Sequence, residues 1–169
     1  MMKRTTLVAT ALLAGTLAAN AADDAAAGRP GTKGKVTRTI AIETTEYAFS
    51  KQALSFKAGE TVKFVVTNKG KLKHELTIGT AEGQAAHRKA MEAMSDNAHA
   101  GHGGHGGHGG HGGHGGHGMD HEMPAGSIHV APGETRELVW EFTTAGSLVF
   151  ACNYPGHADL GMEGAITIK

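Results

Sequence analysis

The sequence predicts an all-β protein, a Greek-key antiparallel β-sandwich that carries one inserted helix and one disordered loop rich in His and Gly. The first observation is a series of short segments in which apolar residues recur at a spacing of two, as in strands with one buried face. The second is the presence of turn residues between these segments, such as Pro132-Gly133 and Ala145-Gly146. Short, regularly spaced, alternating strands are typical of a sandwich and not of a helical or α/β domain.

The alternating segments identify the residues that should form the core. They contain Ile40 and Ile42; Val62, Phe64 and Val66; Leu76 and Ile78; Leu138, Trp140 and Phe142; Leu148, Phe150 and Cys152; and Ile166 and Ile168. Because side chains alternate across a strand, each set should point into the interior. Cys152 should therefore be buried at the end of a strand.

The first 21 residues have the features of a cleaved export signal. Lys3 and Arg4 form a positive region, residues 7–18 are apolar, and residues 19–21 are small enough for a cleavage site. The apolar stretch is shorter than the about 20 residues that a membrane-spanning helix needs, so an uncleaved anchor is the less favoured alternative. We expect a periplasmic protein with no membrane insertion after the leader is cleaved.

The remaining chain is divided by composition. Residues 22–35 are small, polar or Gly/Pro and predict a flexible N-terminal segment, followed by one domain over 36–169. An insertion over 80–126 interrupts the strand pattern. Within it, residues 82–95 lack β-branched side chains and predict a helix. Residues 98–121 are dominated by a His-Gly-Gly repeat that cannot bury enough apolar area to offset its ordering entropy, so this tract should be disordered.

The His-rich tract and the helix offer further metal ligands. A flexible chain of imidazoles can collect Cu(II), Ni(II) or Zn(II) weakly in many geometries, whereas a plain linker needs only glycine. His87, Met91 and Met94 share one face of the predicted helix. Packing of this face on the sandwich is favoured over an extra Cu(I) site. Met119 and Met123 flank the tract, and they too could be either packing residues or Cu(I) ligands.

Charge and cysteine content exclude some functions. The formal net charge of the full chain is zero, so no basic surface for nucleic acid is expected. Cys152 is the single cysteine, and an exported protein with one cysteine forms no internal disulfide. Cys152 is therefore either inert or a metal ligand, while His129 is expected to be structural or surface-exposed.

A loop near the C-terminus carries metal-binding chemistry. Cys152, His157 and Met162 place a thiolate, an imidazole and a thioether between two predicted strands. His74, at the start of a core strand, is the natural source of a second imidazole. Two imidazoles and a thiolate in a plane, with a weak axial thioether, suit copper that changes its oxidation state. Zinc is less favoured, since structural zinc sites draw on several Cys or His and not on Met.

The Cys-Asn-Tyr-Pro-Gly-His segment at 152–157 resembles the Cys-x4-His loop of azurin-like cupredoxins, the small blue-copper proteins. With the His-Glu pair at 74–75, the helix and the His-rich insertion, the chain is similar to CopI-type periplasmic cupredoxins linked to copper tolerance. The resemblance implies one type 1 copper, with His74, Cys152 and His157 as equatorial ligands and Met162 as axial ligand. Four residues separate His157 from Met162, where azurin-like loops have three, so blue and green character both stay open.

The expected function is copper handling under metal stress, with a possible change in the redox state of the bound copper. The alternative is a mobile electron carrier that serves a respiratory or reductase partner. A site with four protein ligands has no open position, so no enzymatic turnover is expected. The expected partners are copper ions and a redox protein or a copper-export component.

Overall fold

The computed structural model describes residues 28–100 and 123–169, with side chains described up to residue 95 in the first of these ranges. Within these residues the chain forms ten strands, one short 3-10 helix at Lys33–Lys35 and one α-helix. The strands are β1 (Arg29–Pro30), β2 (Arg38–Thr45), β3 (Ala48–Phe49), β4 (Ala53–Phe56), β5 (Thr61–Asn68), β6 (His74–Gly79), β7 (Ser127–Val130), β8 (Thr135–Glu141), β9 (Gly146–Ala151) and β10 (Glu163–Ile168). The helix, α1, spans Ala81–Ala100 and lies between β6 and β7.

The strands form two sheets that pack as a β-sandwich, as the sequence predicted. One sheet has the order β1-β8-β5-β2-β3 and the other the order β4-β10-β9-β6-β7. Both sheets are mixed, because β2 pairs in parallel with β5 and β4 pairs in parallel with β10, while the other pairs are antiparallel. The chain crosses to the second sheet as β4 before it returns to the first sheet as β5, next to β2. The sequence did not reveal this, because an apolar spacing of two gives no information on strand direction.

The core lies between the two sheets and contains the residues that the alternation identified. Every member of the predicted set is buried except Ile40, which is partly buried against the core. At one end of the sandwich the rings of Phe56 and Phe142 stack at 4.5 Å between centroids, and Phe64 meets both edge-on. Full burial of each such ring contributes about 1.5–3 kcal/mol to folding. This aromatic cluster anchors the end of the sandwich that is remote from His74.

The segment before the domain is more ordered than the sequence suggested. Residues 22–35 were expected to be flexible, yet β1 pairs with β8 and Gly31 N donates to Val139 O at 2.9 Å. The Arg29 guanidinium also forms an ion pair with Glu141 at 2.7 Å. Most of these contacts are backbone hydrogen bonds, which the amino-acid composition of the segment cannot predict. Residues 22–27 and the predicted leader over 1–21 lie outside the described residues.

Helix α1 is longer than the predicted 82–95 and includes the first residues of the segment assigned to the His-rich tract. Thr80 caps its start, since Thr80 Oγ1 accepts from Gly83 N at 3.0 Å. No Gly or Pro lies between Ser95 and Gly101, which explains the extension to Ala100. Residues 101–122, and with them most of the tract, lie outside the described residues. In the described part of the chain, no helix is both long and apolar enough to cross a membrane.

Candidate metal centre

The candidate site lies at the end of the sandwich where β6 begins and β9 ends. His74 is the first residue of β6, and Cys152 follows β9 directly. His157 and Met162 belong to the loop 152–162 that joins β9 to β10. His74, Cys152 and Met162 are fully buried, whereas His157 is 9% exposed and is the ligand candidate nearest to solvent.

Three of the predicted ligands come together in the structure. The potential ligand atoms of His74, Cys152 and His157 all lie within 4.8 Å of one another. Cys152 Sγ lies 3.3 Å from His157 Nδ1 and 4.0 Å from His74 Nδ1. Metal bonds of about 2.0 Å to nitrogen and about 2.3 Å to sulfur, at about 120°, separate such atoms by about 3.7 Å. The three side chains are therefore spaced as ligands of one metal ion.

Met162 closes the loop onto the other ligand candidates through its backbone. Cys152 N donates to Met162 O at 3.0 Å, and Met162 N donates to His157 O at 3.1 Å. Its side chain is fully buried in the core cluster. These bonds hold residues 152–162 as a closed loop whose two ends meet. The role of the thioether as a fourth ligand stays a prediction.

Tight turns within the loop fix the direction of His157. Gly156 and Gly161 have φ values of 79° and 93°, a region that favours glycine. His157 N donates to Tyr154 O at 3.0 Å, and Gly161 N donates to Ala158 O at 2.8 Å. The Tyr47 ring meets the His157 ring edge-on at 5.0 Å. The imidazole is thus held in place from the loop and from the β2–β3 turn.

The environment of the ligands favours their neutral forms before a metal binds. Burial raises the pKa of the Cys152 thiol to about 11, although Glu75 N donates to its sulfur at 3.4 Å. Burial also lowers the pKa of His74 and of His157. The imidazoles are therefore free to bind a cation at neutral pH. The thiol must release a proton as it becomes a ligand.

A second polar network beside the site was missed from the sequence. The Glu75 carboxylate is fully buried and accepts hydrogen bonds from Asn153 and Thr77. His87 of α1 and His129 of β7 approach its two oxygens at 3.2 and 3.3 Å. His129 is partly exposed, as expected, but it also has this buried partner. The available signal was an acidic residue placed directly before the apolar residues Leu76 and Ile78 of β6.

Helix α1 is fixed to the same region by a buried glutamine. Gln84 is 3% exposed, and its Nε2 donates to Thr77 O at 2.7 Å and to Val149 O at 3.0 Å. Its Oε1 accepts from Asn153 Nδ2 at 2.7 Å. The helix therefore contacts β6, β9 and the residue that follows Cys152. Met91 and Met94 on its apolar face are partly buried, and the interpretation that they pack on the sandwich stays a prediction.

The lowered pKa values of the two candidate ligand histidines predict how stability depends on pH in the metal-free protein. In the unfolded chain these groups have pKa values of about 6.5 and bind protons that the folded chain excludes. Stability should therefore be full above about pH 7 and fall as the pH drops through 6.5 toward the lowered pKa values of His74 and His157. Urea unfolding at about pH 7.5 and about pH 5.5 measures this loss.

The control for this prediction is His157→Gln, which removes one titrating group. Its loss of stability between the two pH values should be smaller than that of the wild type. The carboxyls of Glu46, Glu134 and Glu141 also have lowered pKa values. These groups change stability only at pH values near and below their usual pKa of 4.5, which lie outside the range compared. An unchanged urea midpoint between about pH 7.5 and about pH 5.5 would contradict the prediction.

The fold and the His-Cys-His cluster define a small β-sandwich protein with a buried group of side chains that could hold a metal ion. A family model described as copper binding proteins, plastocyanin/azurin family, matches residues 36–169. The chain therefore belongs to the plastocyanin/azurin family of copper-binding proteins.

Curated relatives agree with this assignment, and a solved structure agrees with the fold. The copper-resistant cuproprotein CopI of Pseudomonas aeruginosa is 39% identical over 158 residues, which cover 89% of this chain and 87% of that protein. The protein of the same name from Rubrivivax gelatinosus is 34% identical over 143 residues, covering 84% of this chain and 73% of that protein. The structure of auracyanin B matches with a TM-score of 0.60 at 17% identity, covering 84% of this chain and 96% of that one, and supports the fold.

Proposed function

We propose that the protein binds one type 1 copper ion and acts in copper tolerance in the periplasm. The observation that carries the proposal is the buried cluster of His74, Cys152 and His157. This donor set fits copper, because the soft thiolate suits Cu(I) and imidazole suits both oxidation states. Met162 is the proposed axial ligand, since its backbone is bonded to both Cys152 and His157. Copper bound there would supply one-electron chemistry.

The protein's own residues shape what that copper could do. Burial of the thiol and of His74 keeps bulk water away from the site, and the closed loop 152–162 limits rearrangement when the charge of the metal changes. Four protein ligands would leave no position for a substrate. The proposal is therefore a copper-binding and redox role without enzymatic turnover.

The role in tolerance is supported by sequence features and by relatives. Residues 1–21 have the pattern of an export leader, and the tract over 98–121 supplies imidazoles that could gather Cu(II), Ni(II) or Zn(II). The relatives from Pseudomonas aeruginosa and Rubrivivax gelatinosus are named copper-resistant cuproproteins. In this proposal the tract collects copper and the buried site holds it, with a redox protein or copper-export component as partner.

A mobile electron carrier is the second candidate function. The large apolar side chains that are exposed in the described part of the chain are Tyr47, Leu72 and Leu160. Tyr47 contacts the His157 ring, Leu72 lies two residues before His74, and Leu160 belongs to the loop 152–162. Exposed apolar residues beside the most accessible ligand suit contact with a redox partner. An electron carrier, however, has no need of a His-rich tract.

Deletion of residues 98–121 separates the two functions. In a strain that depends on this protein for growth on copper, the deletion should lower the tolerated copper concentration, because copper collection by the tract is lost. The matched control replaces the histidines of the tract with serine and keeps its length, so that the effect of the imidazoles is separated from the effect of a shorter insertion. Unchanged copper tolerance after the deletion, together with electron flow to a reductase that survives the deletion but is lost when the whole protein is removed, would favour the carrier.

A further inference from the structure

A fully buried carboxylate lies next to the copper ligands. Glu75 follows His74 on β6, and its side chain is 0% exposed. A buried charge is costly unless it is paired and hydrogen-bonded. At a fully buried position of a core strand an apolar residue is usual, so the presence of a charged side chain needs an explanation.

The surroundings of Glu75 keep it ionised. Its Oε1 accepts from Asn153 N at 2.9 Å, from Asn153 Nδ2 at 3.0 Å and from Thr77 Oγ1 at 3.0 Å. Burial alone would raise the pKa of this carboxyl, but contacts with His129 and His87, together with the Asn153 amide, hold the pKa well below its usual range. The carboxylate is therefore a fixed negative charge at neutral pH.

The two imidazoles around Glu75 do not make it a second metal cluster. His87 Nε2 approaches Oε1 at 3.2 Å, whereas His129 Nε2 approaches Oε2 at 3.3 Å. Among the residues that the structure describes, only His74, Cys152 and His157 bring three potential His, Cys, Asp or Glu ligand atoms within 4.8 Å of one another. The network around Glu75 is better described as a carboxylate held between two imidazoles.

Glu75 is held directly against the ligand residues. Its backbone N donates to Cys152 Sγ at 3.4 Å, and its Oε1 accepts from the backbone N of Asn153, the residue that follows Cys152, at 2.9 Å. Glu75 also follows His74 on β6. A metal cation bound by His74 and Cys152 would therefore lie close to the carboxylate and be attracted by its negative charge.

We propose that the buried Glu75 carboxylate biases the copper site toward Cu(II) and so lowers its reduction potential. This inference rests on the proposed function of the same site. A fixed negative charge stabilises a divalent ion more than a monovalent one, and the effect is large where water is excluded. The carboxylate thereby sets the oxidation state in which the protein holds copper.

Three variants test the charge separately from the hydrogen bonds. Glu75→Gln keeps the shape and removes the charge, Glu75→Asp keeps the charge and shortens the side chain, and Glu137→Gln removes an exposed charge on β8. The measurement is the reduction potential of the copper-loaded full chain, with redox mediators at about pH 7.5. Glu75→Gln should shift the ratio of Cu(II) to Cu(I) affinity by about tenfold toward Cu(I), which raises the potential by about 59 mV. Glu75→Asp and Glu137→Gln should stay near the wild type.

A further variant covers the case in which Glu75→Gln does not fold. His129→Arg places a permanent positive charge beside Glu75 Oε2 from a partly exposed position and should shift the potential in the same direction as Glu75→Gln. An unmoved potential in both variants, or an equal shift in Glu75→Asp and Glu75→Gln, would overturn the inference. The thiolate-to-copper absorption of the wild type separates this result from failure of the proposed function, because its absence would overturn both.

Discussion

Cys152→Ser should abolish the intense visible absorption of the copper-loaded protein and weaken copper binding at the buried site. The serine hydroxyl is a poor ligand for copper, whereas the thiolate is both a strong ligand and the source of the absorption. The loss of affinity should exceed the roughly 10–100-fold effect typical of removing an outer partner of a metal ligand. Absorption spectra and competition with a copper chelator measure the two effects.

The substitution should leave the fold intact. Serine is close to cysteine in size, and Glu75 N, which donates to the sulfur at 3.4 Å, can donate to the hydroxyl oxygen instead. Circular dichroism of the metal-free variant is the control. A folded Cys152→Ser protein that retained the visible band would show that the sulfur is not bound to copper.

Phe142→Ala should destabilise the protein by about 3–5 kcal/mol and leave the spectrum of the copper site unchanged. Phe142 is fully buried, and its ring stacks on Phe56 at 4.5 Å and meets Phe64 edge-on. Truncation removes apolar burial and opens a cavity among these rings. Because the cluster lies at the opposite end of the sandwich from His74, the spectrum of the copper-loaded protein should remain that of the wild type. Urea unfolding of the metal-free protein gives the stability.

The neighbouring Thr143→Ala is the matched control for Phe142→Ala. Thr143 is exposed, so its truncation should change stability by less than about 0.5 kcal/mol. A loss below about 1 kcal/mol for Phe142→Ala would show that the aromatic cluster does not stabilise the sandwich as described. Together with Cys152→Ser, this pair separates the residues that hold the fold from those that hold the metal.

The longer strands and the core could be predicted because apolar residues at a spacing of two mark the positions that are buried between the sheets. Alternation identified Phe64, Leu76 and Phe150 as core residues, and all three are buried. Strand direction could not be predicted, since a parallel and an antiparallel strand show the same spacing of two. Strands β1, β3 and β4 were missed. Both β1 and β3 pair through only two residues, and β1 is also held by the Arg29 ion pair with Glu141.

The candidate ligands could be predicted because most of them share one short loop. Cys152, His157 and Met162 lie within residues 152–162, and His74 starts the strand whose partner ends beside Cys152. The surroundings of Glu75 could not be predicted in the same way. Its partners His87 and His129 come from a helix and an edge strand that are distant in sequence, and only the packing of α1 and β7 against β6 brings them together.

The most direct test is a titration of the protein with Cu(II), followed by visible absorption and electron spin resonance. We expect an intense thiolate-to-copper band that grows until one equivalent is bound, with the spin-resonance signal of a single thiolate-bound copper. Further equivalents bound by the His-rich tract should add no such band. Tight binding of the first equivalent without the band would contradict the assignment of Cys152, His74 and His157 to one copper ion.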